Sequence, residues 1–229
     1  MTDNVLTRMQ TQADAWQTAG DRRAIFLQCY QMMTANVLVA VDNGRFHDGP
    51  WVTQLLHRFA DYYFDALALY DAQRPCSGVW QQAFSACGRK RVNVLQHLFL
   101  GVNAHINYDL VLTLVDLLQP EWATLDADAR RRRYEDHTLV NDIIADTIDA
   151  VQDEVVERHS PLLKLVDWLA GPVDEFIVAE LISHWRQEVW DTAVAMLETA
   201  DPAAHDAMRQ RLEQRVLRRG EQILGLGGD

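Results

Sequence analysis

The chain carries few chain-breaking residues: 11 glycines and 6 prolines among 229 positions, falling between long periodic stretches. That scarcity, with no alternating apolar/polar run of strand length, argues against a sheet protein. Cysteine is scarce too. Cys29, Cys76 and Cys87 are odd in number and form no CxxC pair, which speaks against a disulfide framework or a thiolate zinc site and suits a reducing cytoplasm. Positive charge is in deficit, with 21 Lys and Arg against 33 Asp and Glu, for a net charge of −12. The generic counterion-release attraction to nucleic acid is therefore lacking. The opening residues, MTDNVLTRMQTQADAW, hold no apolar core of a secretory signal. There is no HExxH or ExxH motif, so the zincin and four-helix di-iron patterns fall away. A glycine-rich phosphate loop and a GxSxG elbow are missing as well.

What is present is helical periodicity. A hydrophobic content of 48% over this length is enough for a sizeable core in one domain. Helices are expected over residues 3–17, 21–43, 51–72, 79–86, 91–118, 127–159 with a break near Glu135, 161–170, 172–200 and 203–224. Gly20 and Gly44 stop the first two, while Asp48 and Pro50 start the third. The expected fold is an all-α, single-domain bundle over residues 1–224, built round the helix 91–118, with residues 225–229 as a flexible tail.

The central stretch, RVNVLQHLFLGVNAHINYDLVLTLVDLL, is apolar all round yet carries Asn103, His105, Asn107 and Asp109. Buried polar groups destabilise unless partnered, so this cluster marks a polar centre inside a hydrophobic body. It also speaks against a membrane span, because each Asp adds roughly 3 kcal/mol at mid-bilayer. At about 100° per residue, His105 and Asp109 share a face with His97 and Gly101, while Asn103 and Asn107 share the opposite face with Gln96. Gly101 costs about 1 kcal/mol against Ala in a helix interior, which points to close approach of a backbone or ligand there. In 172–200, Arg186 falls within the apolar arc of Val178, Ile182, Val189, Ala193 and Leu197, with Trp190 one turn on. In 127–159, His137 and Asn141 fall within the arc of Val140, Ile144, Ile148, Val151 and Val155. Asp142, Asp146, Asp149, Asp153 and Glu157 form a separate acidic face. An inward arginine needs a buried anion, from protein or ligand. Asp109 is the protein candidate, so His105, Asp109, Asn141 and Arg186 are expected to converge.

Three histidines precede an acid by four residues, a spacing that brings both side chains to one helix face. His57/Asp61 and His184/Glu188 lie on solvated faces, whereas His105/Asp109 is embedded in apolar sequence. His47-Asp48 is similar to the HD dipeptide of metal phosphohydrolases, but it precedes Gly-Pro, which makes Asp48 a helix cap. Asn141-Asp142 with Asp149 is similar to the second magnesium motif of terpene cyclases. There, however, Ala145 replaces the hydroxyl residue and Asp149 turns to the acidic face. The run Arg130 to Arg133 reads as a solvated turn. Met208, Leu212, Val216 and Ile223 make the last helix a docking helix, within the fold or across a homodimer interface.

The segment QHLFLGVNAHINYDL, residues 96–110, resembles the signature of an uncharacterised bacterial domain-of-unknown-function family with an NAHIN-x-DL core. The resemblance extends to Phe46-His47-Asp48-Gly49-Pro50-Trp51, Tyr63-Phe64-Asp65-Ala66-Leu67, Val140-Asn141, and Arg186 with Trp190. It covers most of the chain and implies no activity. Its positions coincide with the inward polar set, apart from Asp48 and Asp65; His57 and Glu188 fall outside it.

Two functional classes follow. In an enzyme, His105, Asp109 and Arg186 carry the chemistry, and His97, Asn103, Asn107, His137, Asn141 and Trp190 contact a small-molecule ligand. His105 and Asp109 would then hold one divalent metal ion for hydrolysis of a small anionic ester. Without metal, Asp109 would orient His105 as general base while Arg186 holds the anion. Magnesium-dependent isoprenoid diphosphate chemistry is a distant third. The other class is a non-catalytic helical module that binds a ligand or only fixes packing. The enzyme predicts a cavity touching His105, and a purely structural module predicts close packing. Neither nucleic acid nor membrane is an expected partner.

Overall fold

The computed structural model describes residues 3–151 and 172–226, and all regular structure among them is helical. The elements are α1 (Asp3–Ala19), α2 (Arg23–Asp42), α3 (Gly49–Asp71), α4 (Gly78–Cys87), α5 (Val94–Ala104), a π-helical turn (His105–Asp109), α6 (Leu110–Leu118), α7 (Ala127–Val151), α8 (Pro172–Leu197) and α9 (Pro202–Gly225). Helix α7 runs through Glu135 without the expected break. The expected helix 161–170, the end of 127–159 and residues 227–229 lie outside the described residues.

Local chemistry sets the ends. After α1 and α2, Gly20 and Gly44 take positive φ (67° and 68°). Asp21 N–H then reaches back to the Trp16 carbonyl and Arg45 N–H to the Ala40 carbonyl, closing both helices in left-handed caps. Asp48 caps α3 as expected, its Oδ1 accepting from Trp51 N at 3.0 Å, with Pro50 in the first turn. The central helix starts later than residue 91. Asn93 and Gln96 form a capping box there, each side chain holding the other's backbone N–H.

The continuous helix Val94–Leu118, formed by α5, the π turn and α6, is the axis of the bundle. It is long and apolar enough to span a bilayer by composition, and 83% of its apolar window is buried inside the protein. Helices α2, α3, α4, α8 and α9 pack around it, α1 lies on α2, and α7 bridges α2 and α8. Leu100, Leu110, Leu114 and Leu118 are wholly enclosed. Helix α9 docks within the chain through the stripe Leu212, Val216, Gly220 and Ile223. Three amides hook its backbone carbonyls. Gln96 donates to the Ile223 and Leu224 carbonyls, Asn103 to Val216 and Gln82 to Leu217.

A buried clamp ties the turn before α3 to α7. Asp136 is 1% exposed and accepts the backbone N–H groups of His47 (2.7 Å) and Asp48 (3.0 Å). Arg133 bridges Asp48 and Glu121, and Arg130 donates to the Trp122 carbonyl while covering that indole. These arginines therefore belong to the first turns of α7, on protein partners, and not to a solvated turn.

Gly101 fits the tight spot its cost implied, but the neighbour is a side chain. A Cβ there would lie 2.8 Å from Phe26 Cβ and press further into its ring. Gly101→Ala is expected to destabilise by about 1–3 kcal/mol from overpacking, outweighing the gain of about 1 kcal/mol in helix propensity. Urea unfolding of the variant measures this; an unchanged or raised midpoint would mean that Phe26 yields freely.

Candidate functional site: a cavity between a neutral acid–imidazole pair and a lone cation

The axial helix widens into an i→i+5 turn at His105–Asp109, a feature that recurs at functional sites. Asp109 is 2% exposed and His105 3%. The Oδ2 atom of Asp109 accepts from Trp80 Nε1 at 2.8 Å and lies 3.1 Å from His105 Nδ1. With the acid's proton on Oδ1, Asp109 Oδ2 accepts from both the indole and the imidazole, and in that tautomer Nδ1 is the donor nitrogen and Nε2 carries the lone pair. His105 Nε2 has no hydrogen-bond partner among the described residues.

Aromatic rings enclose this pair. Phe59 stacks on the imidazole at 3.5 Å between centroids, Tyr30 lies at 4.2 Å, and Phe26, Trp80 and Tyr63 complete the shell. In such surroundings charge is disfavoured on both partners. Burial pushes the Asp109 carboxyl well above its ordinary range, against the Trp80 hydrogen bond, and burial holds His105 well below 6.5. Both directions favour a neutral acid beside a neutral imidazole.

Arg186, 5% exposed on α8, belongs to a second cluster. Its Nε donates to Asn141 Oδ1 at 2.7 Å and its Nη2 to the His137 carbonyl at 2.6 Å. The His137 ring answers by donating Nε2–H to the Arg186 carbonyl at 3.0 Å. That places its Nδ1 lone pair towards Arg186 Nη2, 3.5 Å away. Burial, then the Arg186 charge, holds His137 well below its ordinary value despite that carbonyl bond. Trp190 packs on the His137 ring at 5.3 Å and on Tyr134. No carboxylate among the described residues pairs with Arg186, and burial alone pulls its pKa down to about 9. The expected Asp109–Arg186 pairing is thus corrected: Asp109 turns to α4 and Arg186 to α7.

The two clusters nevertheless meet at one cavity of about 100 Å³. His105, Tyr30, Phe59, Cys29, Thr34 and Arg186 are among its walls, which are otherwise apolar. The Tyr30 hydroxyl is buried with no well-formed hydrogen bond among the described residues, and burial keeps its phenol protonated, against the nearby Thr34 hydroxyl. Cys29 is likewise held as a thiol, raised to about 12 by burial.

The remaining candidates go elsewhere. Asn103 and Asn107 bond to each other (3.0 Å), and Asn103 holds α9, so neither lines the cavity. His97 faces Arg22 at 3.3 Å, and burial with that charge lowers its pKa to about 4. His184 is exposed beside Glu188 at 3.4 Å, and Asp65, Asp142 and Asp146 face solvent. Sequence reasoning missed Trp80, Tyr30, Phe59 and Asp136. The indole comes from a short helix 29 residues upstream of Asp109, with no spacing signal to link them.

The donor set does not fit a metal ion. Among the described residues no group of three or more His, Cys, Asp or Glu side chains is placed to hold one. At His105/Asp109 an indole N–H points at the same carboxyl oxygen that faces the imidazole, and burial favours the protonated acid over the charged ligand a cation would take. The Asn141 oxygen of the magnesium-like motif is likewise held by Arg186.

Architecturally this is an all-α bundle packed around one buried polar helix. The chain belongs to a family of unknown function (DUF5995), whose model matches residues 2–226. No curated protein and no solved structure matches the chain.

The neutral pair has a signature in pH. Folded Asp109 keeps its proton where the unfolded carboxyl has lost it, so stability falls as pH rises from the ordinary carboxylate range towards its raised value. His105 opposes this only below 6.5, where unfolding takes up the proton that the folded imidazole refuses. Asp109→Asn preserves an acceptor and removes the titration. Its destabilisation, about 1 kcal/mol at about pH 4, should shrink as pH rises from there towards the raised value of Asp109. Denaturant melts across that range measure it, and a deficit that grows with pH would reveal an ionised Asp109.

Proposed function

We propose that this chain binds a small anionic molecule in the cavity between His105 and Arg186. One observation carries the reading: a buried guanidinium with no carboxylate partner among the described residues lines the same cavity as His105, whose Nε2 has no partner among them either. A buried cation is unfavourable unless an anion meets it, and Arg186 keeps Nη1 free of hydrogen bonds among the described residues. Apolar walls with a few convergent polar groups are the usual make-up of a ligand pocket.

A second reading makes the site an enzyme. It is favoured by the Asp109 contact, which in the Nδ1–H tautomer leaves Nε2 as the base nitrogen. Arg186 would then hold the anionic group of a small ester while His105 takes a proton from water. No step in this scheme uses a metal. The three unpaired cysteines suit the reducing cytoplasm in which we place the chain.

Arg186→Met tests the anion role. It removes an unbalanced charge but orphans the Asn141 and His137 oxygens, so stability should change by less than about 2 kcal/mol. Breaking a true buried ion pair would instead lose about 3–5 kcal/mol. Combined with Asp109→Asn, the effects should add within about 0.5 kcal/mol, because the two side chains make no contact. Formate, acetate, propionate or phosphate, compared with chloride at equal ionic strength, should raise the melting temperature of the wild type alone. Equal responses to all four in Arg186→Met would remove the proposal.

A further inference from the structure

The polar atoms that the cavity withholds define its ligand as much as the one it presents. Resting on the reading that Arg186 receives an anion, we propose that the ligand is a short aliphatic monocarboxylate. Its carboxylate lies on Arg186, and its body, of up to about four carbons, carries no second polar group.

Arg186 presents one nitrogen. Its Nε and Nη2 are turned to Asn141 and to the His137 carbonyl on α7, and Nη1 has no hydrogen bond among the described residues. Nη1 is open to a water-sized molecule, whereas His105 Nε2 and the Tyr30 hydroxyl are too enclosed for one to touch. Those two atoms therefore meet no ligand. Thr34 is 1% exposed beside the Tyr30 phenol, and its hydroxyl donates to the Tyr30 carbonyl at 2.8 Å. Cys29 is a buried thiol, at best a weak donor. The other described walls, from Phe26 and Met33 round to Ile144 and Ile182, are apolar. A hydroxyl or amide on the ligand body would leave water and find no partner, which is unfavourable. An ammonium would do the same and oppose Arg186 as well. Charge and size complete the description. Arg186 is the one charged side chain among the described walls, and a monoanion neutralises it, whereas a dianion would leave net charge in the same low-dielectric space. A volume of about 100 Å³ is two-thirds of the ~150 Å³ apolar cavity known to accept benzene, which leaves room for about four carbons.

Calorimetric titration of the full chain tests this. The probes are acetate, propionate, butyrate, valerate and octanoate against lactate, 3-hydroxybutyrate, succinate and inorganic phosphate. Affinity should rise about fourfold with each methylene from acetate to valerate, the gain from burying one CH₂, and stop rising before octanoate. 3-Hydroxybutyrate should bind about tenfold or more weakly than butyrate, because its hydroxyl is left unpaired. Val102→Phe narrows the cavity without touching the bonds that hold Arg186 and should flatten the chain-length series; an unchanged slope in the folded variant would place the chain elsewhere and overturn the proposal. The wild-type series decides the ligand class even without that variant. If a hydroxy acid, succinate or phosphate binds as tightly as butyrate, or if affinity climbs on to octanoate, and binding still needs Arg186, the ligand class is wrong while the anion reading stands. If carboxylates bind Arg186→Met as well as wild type, or bind neither, both fall together.

Discussion

The Oδ2 atom of Asp109 accepts from Trp80 on α4 and from His105 one turn back, and it does so inside a shell of aromatic rings. A carboxyl group in such a place is tolerable only if its charge is suppressed and its oxygen is bonded. Both conditions are met by neighbours that can occupy only one position. The indole fixes α4 against the axis, and the imidazole fixes Phe59 and Tyr30 around itself. Much of the packing near the cavity follows from satisfying this one oxygen.

Arg186 obeys the opposite logic. Among the described residues its bonds are to neutral oxygens on α7, so they position the side chain without neutralising its charge. The reciprocal bond from His137 to the Arg186 carbonyl makes the junction of α7 and α8 stiff. A guanidinium held rigid and unneutralised is preorganised, since little reorganisation is needed when an anion arrives. The neutral imidazole on the facing wall adds no second charge to be balanced.

The sequence made the helices legible because glycine, proline and caps sit where the apolar period stops, as at Gly20, Gly44 and Asp48. Angular periodicity likewise exposed His105, Asp109, His137, Asn141 and Arg186 as inward, and all but Asn141 prove buried, with Asn141 half-buried on Arg186. Pairing was not legible. Periodicity reports which face a residue occupies, and it carries no information on which helix lies opposite. Asp109 was therefore matched with the nearest opposite charge, and the unassuming Trp80 went unseen. The capping box at Asn93 was hidden for a different reason: Arg91 and Val92 continue the helical pattern though their backbone has not begun the helix. Asp136 escaped because a carboxylate that binds backbone N–H groups needs no charged residue to announce it.

The amide hooks on α9 bind main-chain carbonyls, not side chains. Main-chain atoms are the same whatever residue carries them. The hooks therefore define how far α9 slides along the axis while leaving its outward positions chemically unconstrained. Evolution can redraw the charge and polarity of that outer face, including Arg211 and Arg218, without disturbing the register of the buried stripe. The last helix is thus a structurally anchored but compositionally open surface, separate from the chemistry held at the centre.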